Sequence, residues 1–250
     1  MFNKIAQHYD MIMEPFDYND LVDYLDDLII GAGGDRTNVL DLGCGTSEEL
    51  IYFRQLGYEV TGLDISHEMI ELSSYKHPGV EFIESDMINF KTKKKFDNVI
   101  SCFDTINYIT DKKKLSKCFA STNKAMKKGG VFLFDFNTVF GLINEWEGVR
   151  IEETEQFFIS YDSEFNYDKL ILECKMKFFI REEDEKYASF DETHYERGYT
   201  SEEIKELLKL NGFKLVKLLP FLKRKATKDT KLDRYQAVAV KIRDYSVGNA

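Results

Sequence analysis

No stretch of this sequence approaches the roughly 20 consecutive apolar residues that a helix needs to span a bilayer, so no membrane partner is expected. Cysteine is scarce: Cys44, Cys102, Cys118 and Cys174 form no CxxC pair, and their spacing suggests neither a disulfide framework nor a zinc knuckle. The histidines His8, His67, His77 and His194 are scattered, so no metal site is expected on them. Positive charge is also in deficit. Against 44 Asp and Glu stand only 34 Lys and Arg, a net charge of −10. Duplex binding draws most of its affinity from cations on phosphates, so no nucleic-acid partner is expected. The basic run Lys91–Lys95 reads as a solvated turn before a strand. With no signal-peptide pattern at Met1–Tyr9, the chain reads as reducing and cytoplasmic.

What is present suits one globular domain with a sizeable core: 43% of the residues are hydrophobic and 14% aromatic. Asp17–Ile30 reads as an amphipathic helix. A short apolar run, Asn38–Leu42, follows, then a helix over Thr46–Gln55 with Thr46 as its cap and Gly57 as its stop. Glu59–Leu63 is a second strand, and Ser66 caps a helix running to Lys76. Val80–Ile83 and Asp97–Cys102 are the third and fourth strands. A helix over Lys112–Lys127 turns at Lys128-Gly129-Gly130 into a fifth, Val131–Phe136. Strands separated by helices of this length imply right-handed βαβ units in a buried parallel sheet. The pattern then changes to three aromatic, alternating runs, Ile151–Tyr161, Lys169–Ile180 and Lys186–Tyr199, joined at Asn166–Asp168 and Glu182–Glu185. This is the pattern of an inserted antiparallel meander. A helix capped by Ser201 and ended by Asn211-Gly212 precedes two closing strands, Lys214–Leu219 and Tyr235–Lys241.

The chemistry lies in Asp41-Leu42-Gly43-Cys44-Gly45-Thr46. Two glycines at a strand-to-helix turn let a ligand approach the backbone, at the end of a parallel sheet where such folds bind ligands. The dinucleotide fingerprint needs a third glycine, and Glu48 stands there. A carboxylate beside a pyrophosphate is unfavourable; beside a cationic ligand without phosphate it is not. Asp64 ends the second strand at the distance of a ribose-binding acid, and Asp86 ends the third, placed for an adenine amino group. Three acids after three consecutive strands, around one glycine turn, describe an adenosine site without phosphates.

These residues resemble the class I S-adenosylmethionine-dependent methyltransferases over roughly residues 1–130 and the closing helix and strands. Asp41–Thr46 is similar to the family's first motif, Asp64 to its ribose acid, Ser85-Asp86-Met87 to its adenine motif, Phe96–Ile100 to its fourth strand, and Lys128–Gly130 to the following turn. Ser47 departs from the glycine common there and fits if its backbone is helical. The resemblance implies an α/β, Rossmann-like fold: a seven-stranded, mostly parallel sheet with helices on both faces and an antiparallel meander after the fifth strand. Within one domain it implies a helical lid (1–35), a cofactor core (36–138), an acceptor cap (139–200) and a closing helix with two strands (201–250).

The implied cofactor is S-adenosylmethionine, with S-adenosylhomocysteine as product. Its expected binding residues are Tyr9, Tyr18, Asp41, Gly43, Cys44, Gly45, Asp64, Ile65, Met69, Asp86, Met87, Cys102 and Phe103. The segment around Tyr9 and Tyr18 resembles a lid of small-molecule methyltransferases, and Ser101–Ile109 a loop of amino-sugar and glycine-type N-methyltransferases. Tyr108 stands where the amino-sugar enzymes carry a catalytic histidine. His194 and Arg197 lie where similar enzymes rejoin the core, either lining the acceptor pocket or serving as structural hydrogen-bonders. Strand alternation puts His194 with Glu196 on one face and Tyr195 with Arg197 on the other. The expected reaction is in-line methyl transfer to a small-molecule amine or hydroxyl, by a monomer or homodimer. A catalytically silent cofactor-binding protein and a nicotinamide-dependent oxidoreductase stand as alternatives.

Overall fold

Asn38–Leu42 is buried along its whole length and forms β1 at the centre of a sheet in the computed structural model, which describes residues 4–182, 186–225, 227 and 232–245. The chain enters through a 3-10 turn, Ala6–His8, then α1 (Tyr9–Met13) and α2 (Tyr18–Gly31). After β1 come α3 (Glu48–Gln55), β2 (Glu59–Asp64), α4 (His67–Lys76), β3 (Glu81–Glu84) and β4 (Phe96–Ser101). A 3-10 turn, Thr105–Tyr108, leads to α5 (Lys112–Ala125) and β5 (Met126–Asn137). The inserted part holds α6 (Val139–Gly141), a π-helical turn (Leu142–Trp146), β6 (Gly148–Glu153), β7 (Phe157–Asn166), β8 (Ile171–Arg181) and β9 (Tyr187–Arg197). The chain closes with α7 (Ser201–Leu210), β10 (Phe213–Pro220) and β11 (Arg234–Lys241).

The sheet has seven strands in the order β10-β11-β5-β4-β1-β2-β3; the five from β5 to β3 pair parallel, and β11 joins β5 and β10 antiparallel. The strand order reverses between β1 and β4, the place where open α/β sheets leave a crevice at their carboxyl ends. Both faces are covered. Leu115 and Phe119 of α5 pack with Ile204 and Leu208 of α7 against Phe132 and Phe134 on one face. Leu25 and Ile29 of α2 pack with Leu50 and Phe53 of α3 against Val39 and Leu133 on the other. Thus one face of α2 packs into the core, and α1 reaches the glycine turn through Asp10, which accepts from the Thr46 hydroxyl.

The second sheet, β6-β7-β8-β9, is antiparallel throughout. It has four strands where the alternation suggests three, because Ile151–Tyr161 is broken at Thr154. The Thr154 hydroxyl accepts from the backbone N–H of Gln156 and Phe157 (both 3.1 Å), closing a turn the pattern hides. Residues 183–185 of the expected connector Glu182–Glu185 lie outside the described residues. Two expected caps move by one residue. Thr200, not Ser201, caps α7, in a capping box with Glu203. Ser47 precedes α3 instead of Thr46, and its φ of 64° is left-handed rather than helical. A buried Ser47 hydroxyl, 3.2 Å from Ser73 Oγ, holds this conformation, which costs a non-glycine residue about 1–2 kcal/mol. Thr46 is freed to bind α1.

Candidate functional site

The glycine turn is fixed from both sides. Gly43 and Cys44 N–H donate to Leu63 O (2.7 and 3.0 Å), tying the end of β1 to the end of β2. Gly43 has φ 77°, and a Cβ there would lie 2.3 Å from Thr105 Cγ2, so only glycine lets the turn after β4 sit against it. Gly45, at φ 50°, faces open space. Asp64 accepts from Gly45 N–H (2.9 Å) on one oxygen and from Ser66 N–H (2.8 Å) on the other. Burial raises its carboxyl, against the pull of these backbone donors. Ser66 caps α4 at Met69 N–H (3.3 Å); Met69 is buried, whereas Ile65 beside it is exposed. Asp86 accepts from Ile88 N–H (2.8 Å), with Met87 half-buried between them.

The N-terminal segment closes over this turn. Asp10 accepts from the Thr46 hydroxyl and pairs with Lys76 (both 2.6 Å), and Lys76 also binds Glu48. Tyr18 and Phe16 pack edge-on against Phe103, with ring centroids 5.9 and 4.9 Å away. Burial, then the charges of Glu49, Asp104 and Asp64, push the Tyr9 hydroxyl up; burial and Glu49 do the same to Tyr18. Cys102, also expected here, is buried at the end of β4, and Phe103 and Asp104 follow with φ 55° and 49°. Two consecutive left-handed non-glycine residues are strained, and the loop is held by Asp104 N–H on Asp135 (2.7 Å) and the Thr105 hydroxyl on Cys102 O (2.6 Å).

Beyond the turn lies a polar cluster that sequence reasoning missed in part. The Tyr108 hydroxyl lies 3.0 Å from His194 Nδ1, and His194 Nε2 lies 2.8 Å from Glu192. The other Glu192 oxygen accepts from Lys4 and Ile5 N–H (3.0 and 3.3 Å), so one carboxylate binds both the histidine and the N-terminal segment. Burial, then Glu196 and Asp104, hold the Tyr108 hydroxyl well above its usual range. Next to them Arg234 binds Asp135 through Nε (2.7 Å) and Asp104 through Nη2 (3.2 Å), while Asn137 donates to Asp104 (2.7 Å) and Glu196 (3.2 Å). Burial and the Asp104 charge push the Glu196 carboxyl well up.

Arg197 does not join this cluster. It points to α7 and grips Glu203 with two N–H groups (2.9 and 3.2 Å), so His194 and Arg197 part as alternation implies. Among the missed residues, Asp135 left a signal: a lone acid in the otherwise apolar Val131–Phe136. Glu49, Asp104, Glu192, Glu196 and Arg234 left none. Among the described residues no group of three or more His, Cys, Asp and Glu could hold a metal ion, and no helix is long and apolar enough to cross a membrane.

Comparison with known proteins agrees on the central stretch. The family described as a methyltransferase domain matches residues 39–130. A putative methyltransferase of Bacillus subtilis, YqeM, is 30% identical over 220 residues, covering 86% of this chain and 87% of that one. An S-adenosylmethionine-dependent methyltransferase from Clostridium acetobutylicum superposes with TM-score 0.86 at 26% identity, covering 95% of this chain and 97% of its own. The dTDP-3-amino-3,4,6-trideoxy-alpha-D-glucopyranose N,N-dimethyltransferase of Streptomyces venezuelae is 27% identical over 109 residues, 44% of this chain and 46% of that one.

Proposed function

The chain belongs to the class I S-adenosylmethionine-dependent methyltransferases, and on that premise we propose that it methylates an amine on a small molecule. The chain's own residues fit the cofactor. Asp41 carries two buried oxygens with no donor among the described residues, which suits a ligand bearing N–H groups. The open space at Gly45 leaves room beside Asp64, whose oxygens keep further acceptor capacity for ribose hydroxyls. Asp86 and Met87 would bound the adenine, and Tyr9, Tyr18 and Phe103 the methionine end. Aromatic faces and carboxylates favour a sulfonium. When bound, S-adenosylmethionine supplies an electrophilic methyl open to in-line displacement, so the protein's work is positioning and proton handling.

The observation that carries the amine reading is the chain Tyr108–His194–Glu192. An amine must lose a proton before or during attack. In the tautomer whose Nε2–H donates to Glu192, His194 Nδ1 accepts from the Tyr108 hydroxyl, a path along which a proton can pass. The high Tyr108 hydroxyl favours passing a proton along over remaining ionised. Asp104, Asp135 and Glu196 outnumber Arg234, the one cation they contact among the described residues, so the cluster keeps acceptor capacity for an amine arriving as ammonium. The relative that methylates an amino sugar supports the same class. The test is methyl transfer from labelled cofactor onto a panel of amino sugars and small amines, each paired with its hydroxyl counterpart. Turnover of the amines with silence on the hydroxyl partners is expected; preference for the hydroxyl partners would refute the amine assignment.

A further inference from the structure

Glu192 and His194 stand two residues apart on β9, so strand alternation puts them on one face. That face turns inward, leaving the two side chains 9% and 4% exposed. The two oxygens of Glu192 divide their work. Oε2 lies 2.8 Å from His194 Nε2, and Oε1 accepts from Lys4 N–H (3.0 Å) and Ile5 N–H (3.3 Å) at the other end of the chain. Burial raises this carboxyl, but the His194 hydrogen bond and the two backbone donors outweigh it and hold it below its ordinary value. An ionised carboxylate only accepts, so His194 donates from Nε2. In the neutral ring Nδ1, 3.0 Å from the Tyr108 hydroxyl, is then the acceptor.

The other partner of Glu192, the N-terminal segment, bridges two parts of the fold. Ile5 is buried among Leu142, Phe157 and Ile159 of the inserted part, with Met11 and Ile12 packed beside it. His8 stacks on Phe190 of β9, ring centroids 6.0 Å apart. A few residues on, Asp10 accepts from the Thr46 hydroxyl of the glycine turn and pairs with Lys76. While this segment is docked, two backbone N–H groups fix one Glu192 oxygen, and that fixes where the other meets His194. Without them the carboxylate regains its rotational freedom, and its bias toward one tautomer of His194 weakens.

We propose that Glu192 is a positioning residue that transmits the docking of the N-terminal segment over the glycine turn to His194, so that the Tyr108–His194 path is set when the site is covered. This rests on the amine reading above and goes beyond it by giving Glu192 a role and the covering segment a part in the chemistry.

Nitrogen-15 NMR of the full chain, labelled at histidine and held near pH 8, above the ordinary histidine value of about 6.5, reads which His194 nitrogen bears the proton. The spectrum of His194→Asn assigns the signal, and deuterium exchange of residues 4–13 reads docking. In the wild-type protein the proton is expected on Nε2. In Glu192→Gln the amide oxygen still accepts from Lys4 and Ile5 while its NH2 faces Nε2. The proton should therefore move to Nδ1, with exchange held within about threefold. Ile5→Pro removes one Glu192 donor and the buried side chain at a φ of −78° that proline adopts. It should speed exchange by about tenfold or more and leave His194 as a mixture of both tautomers. An unmoved His194 in Ile5→Pro overturns the proposal, whether or not exchange rises. So does a wild-type proton on Nδ1, or a Glu192→Gln spectrum like that of the wild type. These readouts need no acceptor, so their failure sinks the coupling alone, whereas amines left unmethylated in the panel would sink the reading beneath it.

Discussion

Replacing Arg197 by alanine separates a stabilising role from a role in the acceptor pocket. Its guanidinium lies over the Tyr199 ring at 4.5 Å, and it ties the end of β9 to α7 through Glu203. Breaking a buried pair costs about 3–5 kcal/mol. Here Lys112 stays beside Glu203 (3.2 Å) and the Glu203 side chain is 18% exposed, so about 2–4 kcal/mol is the better figure. For a chain of this size that lowers the melting temperature by about 4–16 °C. Scanning calorimetry gives the melt, and turnover is measured well below it. We expect a lower melt, with cofactor affinity and kcat held within about threefold. The sign with pH follows from Glu203, whose carboxyl the Arg197 hydrogen bond holds below its ordinary value against burial. Its contribution is present above the unfolded value of about 4.3 and fades as pH falls through the folded one. The gap between wild type and variant should therefore narrow in acid. An unchanged melt with collapsed kcat would refute the reasoning and return Arg197 to the pocket.

Three further outcomes follow from the site. Tyr108→Phe should cut kcat by about 10²–10⁴ with cofactor affinity unchanged, read by single-turnover kinetics; full activity would remove Tyr108 from the proton path. Glu49→Gln replaces one of two neighbouring buried acids, both raised by burial, with an uncharged amide. Because the wild-type pair is raised, its stabilisation is complete at low pH and is lost as pH rises, so the variant's advantage in melting temperature without cofactor should grow from pH 5 to pH 8. A constant difference across that range would contradict the raised carboxyls. Asp64→Ala should weaken cofactor binding by about 10²-fold or more, since each hydrogen bond to a charged group contributes about 1.5–3 kcal/mol. Unchanged affinity would count against the ribose assignment.

Much of the core is legible because a parallel sheet writes itself as apolar runs: β1, β2, β4 and β5 fall within a residue or so of their expected starts or ends, except where β5 begins early at Met126. What stays hidden is local polar chemistry. A hydroxyl turn at Thr154 splits one apparent strand into two, and a serine holds a left-handed position where the motif favours glycine. The site divides the same way. Asp41, Asp64 and Asp86 are visible because each ends a strand at a fixed spacing. Glu49 reads as an acid favouring a helix start, and nothing local says that its side chain turns inward onto Asp41. Glu192 and Glu196 look like outward positions on a charged strand until β9 is laid against the turn after β4. Arg234 meets Asp135 only because β11 pairs with β5.

Binding of S-adenosylmethionine, S-adenosylhomocysteine and NADH, measured side by side by calorimetry on the full chain, tests the central claim most directly. The account expects saturable binding of both sulfur ligands at one site and none of NADH. Binding of NADH, with neither sulfur ligand bound, would contradict it.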